Sequence, residues 1–267
     1  MKNNSHPMTV IFWKRIKANM QLYFIRHGQS VNNAGANDPN YKEHSDPYLT
    51  EIGRKQAQIT AQYLKERQAI TSDDPWNSQN QFGFGFTHLY SSLMERAVHT
   101  AAETARALGD VPFTAWVDIH EEGGIYARKK EENQRGLPGK PRSFFEQNFP
   151  EIRLPDHLDE SGWWNRPFEA DDERQLRAER VLAELLARHG DGEGQPEERI
   201  AFVSHGGFFV RFMCAVLKLP WRQGANGLRS WFLLNNCSIS RFDFRKGNVM
   251  VSYVNNTNHL PPELITG

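Results

Sequence analysis

The chain has 267 residues, 39% of them hydrophobic and 12% aromatic, and its 32 basic residues balance its 32 acidic ones. That aromatic content argues against a disordered chain, and the zero net charge lacks the basic excess that marks nucleic acid as a main partner. Two cysteines, Cys214 and Cys237, cannot frame a disulfide scaffold, and no apolar run is long enough for stable membrane insertion, so the expected setting is reducing and cytoplasmic.

Residues 1–19 read as a disordered N-terminal extension. Their apolar core "TVIFW" is too short for a secretory signal and has no cleavage site after it. A basic amphipathic anchor, or an upstream start with Met20 as the working start, are the alternatives. "QLYFIRH" then reads as a buried strand, being short, apolar, aromatic and β-branched. A helix follows from Thr50 as N-cap, with Gly53 in its first turn and a stripe of Ile52, Ala57, Thr60, Ala61 and Leu64. Beyond the polar loop "TSDDPWNSQNQFGFG" come strand "FTHLYSS", a helix stopped by Gly109, and strand "PFTAWVDIHE".

From about 123 to 172 the rhythm breaks into Pro, Gly, charge and aromatics, which reads as a cap-like insertion. Arg128, Lys129, Lys130, Arg135, Lys140 and Arg142 there either meet a second anionic group or are solvated charges. Trp163 and Trp164 either stack on a ring or anchor the insertion. The amphipathic helix "DDERQLRAERVLAELLARHG" follows, then strand "RIAFVSH" and helix "GGFFVRFMCAVLKL". Strand "SWFLLNNCSISRFDF", broken or bent near Asn236, pairs across "RKGN" with "NVMVSYVNN" in an antiparallel hairpin. One domain spans 20–258, and 259–267 is a C-terminal tail.

Alternating strands and helices predict an α/β fold: a three-layer sandwich whose mostly parallel sheet is covered by helices on both faces, plus the insertion. Ligands of such sheets bind at the carboxyl ends of strands. His27, Ser91, Ser92, Glu121 and His205 all fall at or just beyond such ends. Two phrases share one grammar, an apolar run into His and Gly, at "FIRHG" and "FVSHGG".

The pieces "RHGQSVNN", "LTEIGRKQA", "SSLMERAVHTA", "DIHEEGG", "FVSHGG" and "NNCSIS" together resemble the histidine phosphatase superfamily, which includes cofactor-dependent phosphoglycerate mutases. The resemblance spans Leu22 to about Phe244 and leaves out the extension and the insertion. It implies a metal-independent phosphatase that needs no cofactor, acts on a small phosphorylated substrate, and works through a phosphohistidine at His27. It gives Arg26 and Arg96 the grip on phosphate oxygens, with His205 as a further donor in imidazolium form. Asn33 becomes an amide donor, helped by amides near Gly206 and Gly207 at a helix start.

A neutral imidazole suits this nucleophile, because an anion would be repelled by a dianionic ester; one ring nitrogen must be unprotonated, and the other should donate to a backbone carbonyl. The resemblance places the general acid at Glu121, with Glu122 as the alternative, and its proton requires burial or a neighbouring phosphate. Bland readings stand beside these. Arg26 caps a sheet edge, His27 is a satisfied polar residue, Asn33 makes an Asx turn, and both glutamates are solvated. Cys214 reads as a helix core residue, Cys237 as a packed strand residue, and His88, His99 and His120 as structural. The Arg-His-Tyr-Gly phrase and acceptor loop of the mutases are missing, which favours water as acceptor over mutase-type transfer. A scaffold or protein-binding module with weak activity is the remaining class.

Overall fold

The computed structural model describes residues 19–72, 74, 77–127, 135–190, 196–221 and 231–267. The expectations for residues 1–18 and for Arg128, Lys129 and Lys130 lie outside the described residues. Strand β1 (Asn19–Arg26) carries the first apolar run, and its Leu22, Tyr23, Phe24 and Ile25 are all fully buried. A strand buried on both faces belongs in the middle of a covered sheet. The elements that follow are helix α1 (Val31–Gly35), α2 (Glu51–Glu66), β2 (His88–Ser91), α3 (Glu95–Leu108), β3 (Phe113–Ala115), α4 (Arg142–Asn148), α5 (Asp171–His189), β4 (Glu198–Ser204), α6 (Gly206–Leu217), β5 (Ile239–Arg245) and β6 (Asn248–Asn256).

The sheet order is β3-β2-β4-β1-β5-β6. The first four strands run parallel; β5 is antiparallel to β1 and forms the expected hairpin with β6. Lys246 and Gly247 both take positive φ at that turn, as a two-residue hairpin loop requires. Side chains alternate across the pleat. Tyr23, Ile25, Ala201 and Val203 therefore pack on one side with α2 and α3. Leu22, Phe24, Ile200 and Phe202 pack on the other with α5 and α6, where Phe24 meets Phe208, Phe209 and Phe212. This is the three-layer arrangement read from the sequence. Among the described residues no helix is long and apolar enough to cross a membrane.

Helix α2 starts as expected, with the Thr50 hydroxyl accepting from Gly53 N at 3.0 Å. Ile52 leaves the expected stripe and is 41% exposed; Gly53 and Gln56 complete the buried face instead. Gly53 has a second task. A Cβ there would overlap Gln29 O, and one on Gly28 would overlap Gly53 O, so the loop after β1 lies flat on the first turn of α2.

Two strands are shorter than read. β3 ends at Ala115, and Val117–Ile119 form a 3-10 turn. The cause is Arg177 on α5, which is 1% exposed and whose Nη1 donates to Asp118 O (2.8 Å) and His120 O (2.9 Å), drawing that backbone away from the sheet. β5 begins only at Ile239. Cys237, expected in a strand, sits in a turn with φ 57°, and its N–H crosses the end of β1 to reach Arg26 O and His27 O. A left-handed residue ends a ladder, so the apolar segment before it is not a strand.

The insertion is not a detached cap. Phe145, Phe149, Ile152, Leu158, Trp163 and Trp164 join the same core as α3. Lys140 pairs with Glu95 at 3.1 Å, and Arg142 donates to Leu158 O and Pro155 O. The two tryptophans are thus anchors, and Gly124 and Gly139 are where their rings close on backbone. Arg177 and Glu169 pair bidentately at 2.6 and 2.8 Å, and Glu169 also accepts from Gly123 N.

Arg177→Leu leaves Glu169 buried without its cation and two carbonyls without donors. It is expected to lower unfolding free energy by about 3–5 kcal/mol in urea titration, whereas Arg177→Leu combined with Glu169→Leu should recover part of that loss.

Candidate active site

The register of the parallel strands assembles the site. Arg26 pairs with Ser204 across β1 and β4, and Ser91 pairs with Val203 across β2 and β4. His27 and His205, one residue beyond the first pair, therefore emerge side by side, with ring centroids 5.1 Å apart. His27 N donates to Ser204 O at 3.0 Å, and Ser92 N to Val203 O at 3.3 Å. A cleft of about 250 Å³ opens there; Arg26, His27, Asn33, Arg96, Glu121 and Glu122 are among its lining residues.

The partners of His27 fix its tautomer. Nδ1 lies 2.7 Å from Gly28 O, which can only accept, so Nδ1 carries the ring proton. Arg96 Nε, which can only donate, lies 3.0 Å from Nε2, so Nε2 presents its lone pair. Burial, reinforced by the Arg96 and Arg26 charges, pushes His27 well below the usual histidine range, against the pull of the Gly28 bond. The ring is neutral, with a basic nitrogen facing the cleft.

His205 is the second ring at this edge of the sheet. It is fully buried, and burial with Arg96 and His27 alongside pushes it well below the usual range, so its ring is neutral too. Nε2 shares a 2.7 Å hydrogen bond with Ser92 Oγ, which also accepts from Met94 N; Nδ1 is buried without a partner among the described residues.

Arg26 is largely buried, and burial lowers its basicity while Glu121 opposes the shift. Its Nη1 donates to Leu234 O and its Nε stays without a partner among the described residues. Arg96 enters from the first turn of α3. The Thr100 hydroxyl donates to Arg96 O (2.8 Å) and accepts from Gly28 N (3.0 Å), tying that turn to the His27 loop. Asp46 accepts from Glu95 N at 3.1 Å; burial pushes its carboxyl up to about 6, against the pull of Arg96.

The two glutamates separate clearly. Glu121 accepts from Gly207 N (3.2 Å), Phe208 N (2.9 Å) and Glu122 N (2.9 Å) at the start of α6. A Cβ on Gly207 would come within 2.5 Å of Glu121 Oε1, so only glycine admits the carboxylate there. Glu122 is instead bound by Arg211 at 2.5 Å and Arg174 at 3.3 Å. The helix-start amides expected to meet phosphate at Gly207 are thus occupied by Glu121. Gly206, expected to bind substrate, lies under Arg26, where its Cβ position is 3.6 Å from Nε.

Asn33 Oδ1 accepts from Ser30 N (3.1 Å) and Asn236 Nδ2 (3.3 Å), and its Nδ2 makes no bond among the described residues. His120 is fully buried behind Glu121, with Nδ1 on Glu121 O and its ring on Trp164. His99 packs edge-on against Phe149. His88, His189 and Glu198 form the one group among the described residues that could share a metal ion, their atoms lying within 4.8 Å of one another. It sits at the opposite ends of β2 and β4, and both His189 nitrogens already have partners, Glu198 and Tyr90.

A cleft lined by the His27 imidazole and two guanidiniums, with the buried His205 ring beside the first, is suited to a tetrahedral oxyanion. A model of the histidine phosphatase superfamily (branch 1) matches residues 22–257, and the chain belongs to that superfamily. It is 27% identical over 221 residues to a glucosyl-3-phosphoglycerate phosphatase of Mycobacterium tuberculosis, covering 80% of this chain and 85% of the relative. It is 26% identical over 259 residues to the mitochondrial serine/threonine-protein phosphatase Pgam5 of Caenorhabditis elegans, covering 95% of this chain and 68% of that one. The fold is shared with phosphoserine phosphatase from Entamoeba histolytica, at TM-score 0.54 and 21% identity over 91% of this chain and all of that one.

The buried histidines make stability pH-dependent. Burial holds His27, His120 and His205 well below their unfolded value, so below pH about 6.5 the unfolded chain binds protons that the folded chain does not. Each such ring removes stability as pH falls, by about 1.4 kcal/mol per unit. Urea unfolding at pH 7.5 and 5.5 is expected to show this loss, and His205→Asn should reduce the loss by about 1.4 kcal/mol.

Proposed function

We propose that the protein hydrolyses a small phosphate monoester through a phosphorylated His27. The observation that carries this reading is the tautomer of His27, whose unprotonated Nε2 is held by Arg96 at the wall of a cleft that Arg26 also lines. Nε2 attacks phosphorus, the N–P bond forms, and the P–O bond to the leaving alcohol breaks. Arg26 and Arg96 hold the non-bridging oxygens, Asn33 Nδ2 donates to one of them, and the neutral His205 ring donates through one N–H. Incoming phosphate replaces the Arg96 bond at Nε2.

Glu121 carries the proton to the leaving oxygen. In the second half, a water attacks phosphorus, Glu121 takes its proton, and the N–P bond breaks to restore His27. Glu121 suits this role better than Glu122, because its partners are neutral backbone amides whereas Glu122 is held by two arginines. The named substrates of two relatives, glucosyl-3-phosphoglycerate and phosphoserine, are small phosphorylated metabolites. The cleft here is small and polar, with Ser30, Asn32 and Ser45 among its lining residues, and suits a ligand of that class.

Rapid quenching with labelled p-nitrophenyl phosphate should place the label on His27, and His27→Ala should neither label nor turn over. Label on another residue, or turnover that survives in His27→Ala, would overturn the reading. Glu121→Gln should lose roughly 100- to 10,000-fold in kcat on an alkyl phosphate and far less on the aryl ester, whose leaving group needs no proton. Glu122→Gln should be mild on both esters, and the reverse pattern would move the acid by one residue.

A further inference from the structure

Thr266 lies outside the span that matches the family, residues 22–257, yet it is wired to the loop that bears His27. Its hydroxyl donates to Asn236 Oδ1 at 3.0 Å and accepts from Gln56 Nε2 at 2.8 Å. The other ends of those two amides grip the loop on both sides of Gly28. Asn236 Nδ2 donates to His27 O at 3.0 Å, and Gln56 Oε1 accepts from Gln29 N at 2.7 Å.

Both amide side chains are fully buried. Backbone contacts seat the segment: Asn236 N donates to Thr266 O at 2.9 Å, Asn235 Nδ2 to the same oxygen at 3.1 Å, and Gln56 Nε2 to Leu264 O at 2.6 Å. Gln56 therefore keeps a partner for Nε2 without the hydroxyl. Asn236 does not: the Thr266 hydroxyl is the sole partner of its Oδ1 among the described residues. A buried carboxamide with one end unpaired rotates or shifts to find a donor.

The geometry points to Thr266 as a positioning residue for the reaction proposed above, on which this inference rests. Its hydroxyl holds Asn236, and with it the carbonyl of His27, in the conformation that aims Nε2 at phosphorus. In-line attack needs the reacting atoms about 3–3.5 Å apart, and a displacement of about 1 Å costs about 100-fold. Thr266 is itself only half-buried, so the side chain can be changed without opening the core.

The test uses Thr266→Val, which keeps the shape and removes the hydroxyl, and Thr266→Ser, which keeps the hydroxyl. Thr266→Val is expected to slow single-turnover phosphorylation of His27 by about 10- to 100-fold with KM within about two-fold, because Arg26 and Arg96 still hold the ester. Thr266→Ser should phosphorylate within about two-fold of wild type. Amide exchange at Gln29 and Cys237 should accelerate in Thr266→Val alone. Wild-type phosphorylation in Thr266→Val overturns the inference. So does a Thr266→Ser as slow as Thr266→Val, or a loss carried by KM with lowered melting temperature. A wild type that labels no histidine is a separate result: it sinks the phosphohistidine reading, and the exchange data then report only on the loop.

Discussion

Arg26 and Ser204 are register partners across two parallel strands, and the chemistry of the cleft depends on that alignment. It delivers two histidines, far apart in sequence, at the same height above the sheet. A slip by one residue would send every side chain of β1 to the opposite face. The apolar alternation of Leu22 to Ile25 forbids it, since Phe24 would leave the α6 aromatics for the α3 side. Core packing and site geometry are in this sense one constraint.

The electrostatics follow from burial. Two guanidiniums and two imidazoles share a small volume, and the protein resolves the crowding by keeping both rings uncharged. Arg96 does this directly, donating to the nitrogen it holds unprotonated. A site with two fixed positive charges and two neutral rings favours a dianion without repelling the nucleophile. Glu121, also at this edge, is held by the amides of α6 rather than by an arginine. Glu122, one residue on, has two arginines instead.

Much of this was legible in the sequence, because the strongest signals were local. Thr50 with Gly53, Gly109 and the "RKGN" turn are short-range rules of backbone and capping, and all three hold. His27 and Glu121 fall at or beyond predicted strand ends, and the resemblance to the histidine phosphatases adds Arg26 and Arg96. What was not legible came from tertiary partners. Arg177 pulls Asp118 and His120 off the sheet, so β3 is short. The break expected near Asn236 is the left-handed turn at Cys237, but nothing local showed that the apolar stretch before it forms no strand. The charge of His205 depends on the depth of burial and on Arg96, neither of which a sequence displays. Asn236 lay inside a quoted phrase with no role, and Thr266 lay outside every phrase. Hydrogen bonds between residues this far apart leave no periodic trace.

The strand order also has a consequence for synthesis. Of the six strands β1 is made first, but its two neighbours in the sheet, β4 and β5, follow only after β2 and β3. Until they appear, the apolar run from Leu22 to Ile25 has no ladder to join and no helix α6 to cover it. Pairings of such long sequence separation form late, and an uncharged strand exposed meanwhile is a target for wrong partners. A ribosome-bound chain carrying every residue up to α5 would thus hold His27 at the end of an unpaired apolar strand, before His205 exists beside it.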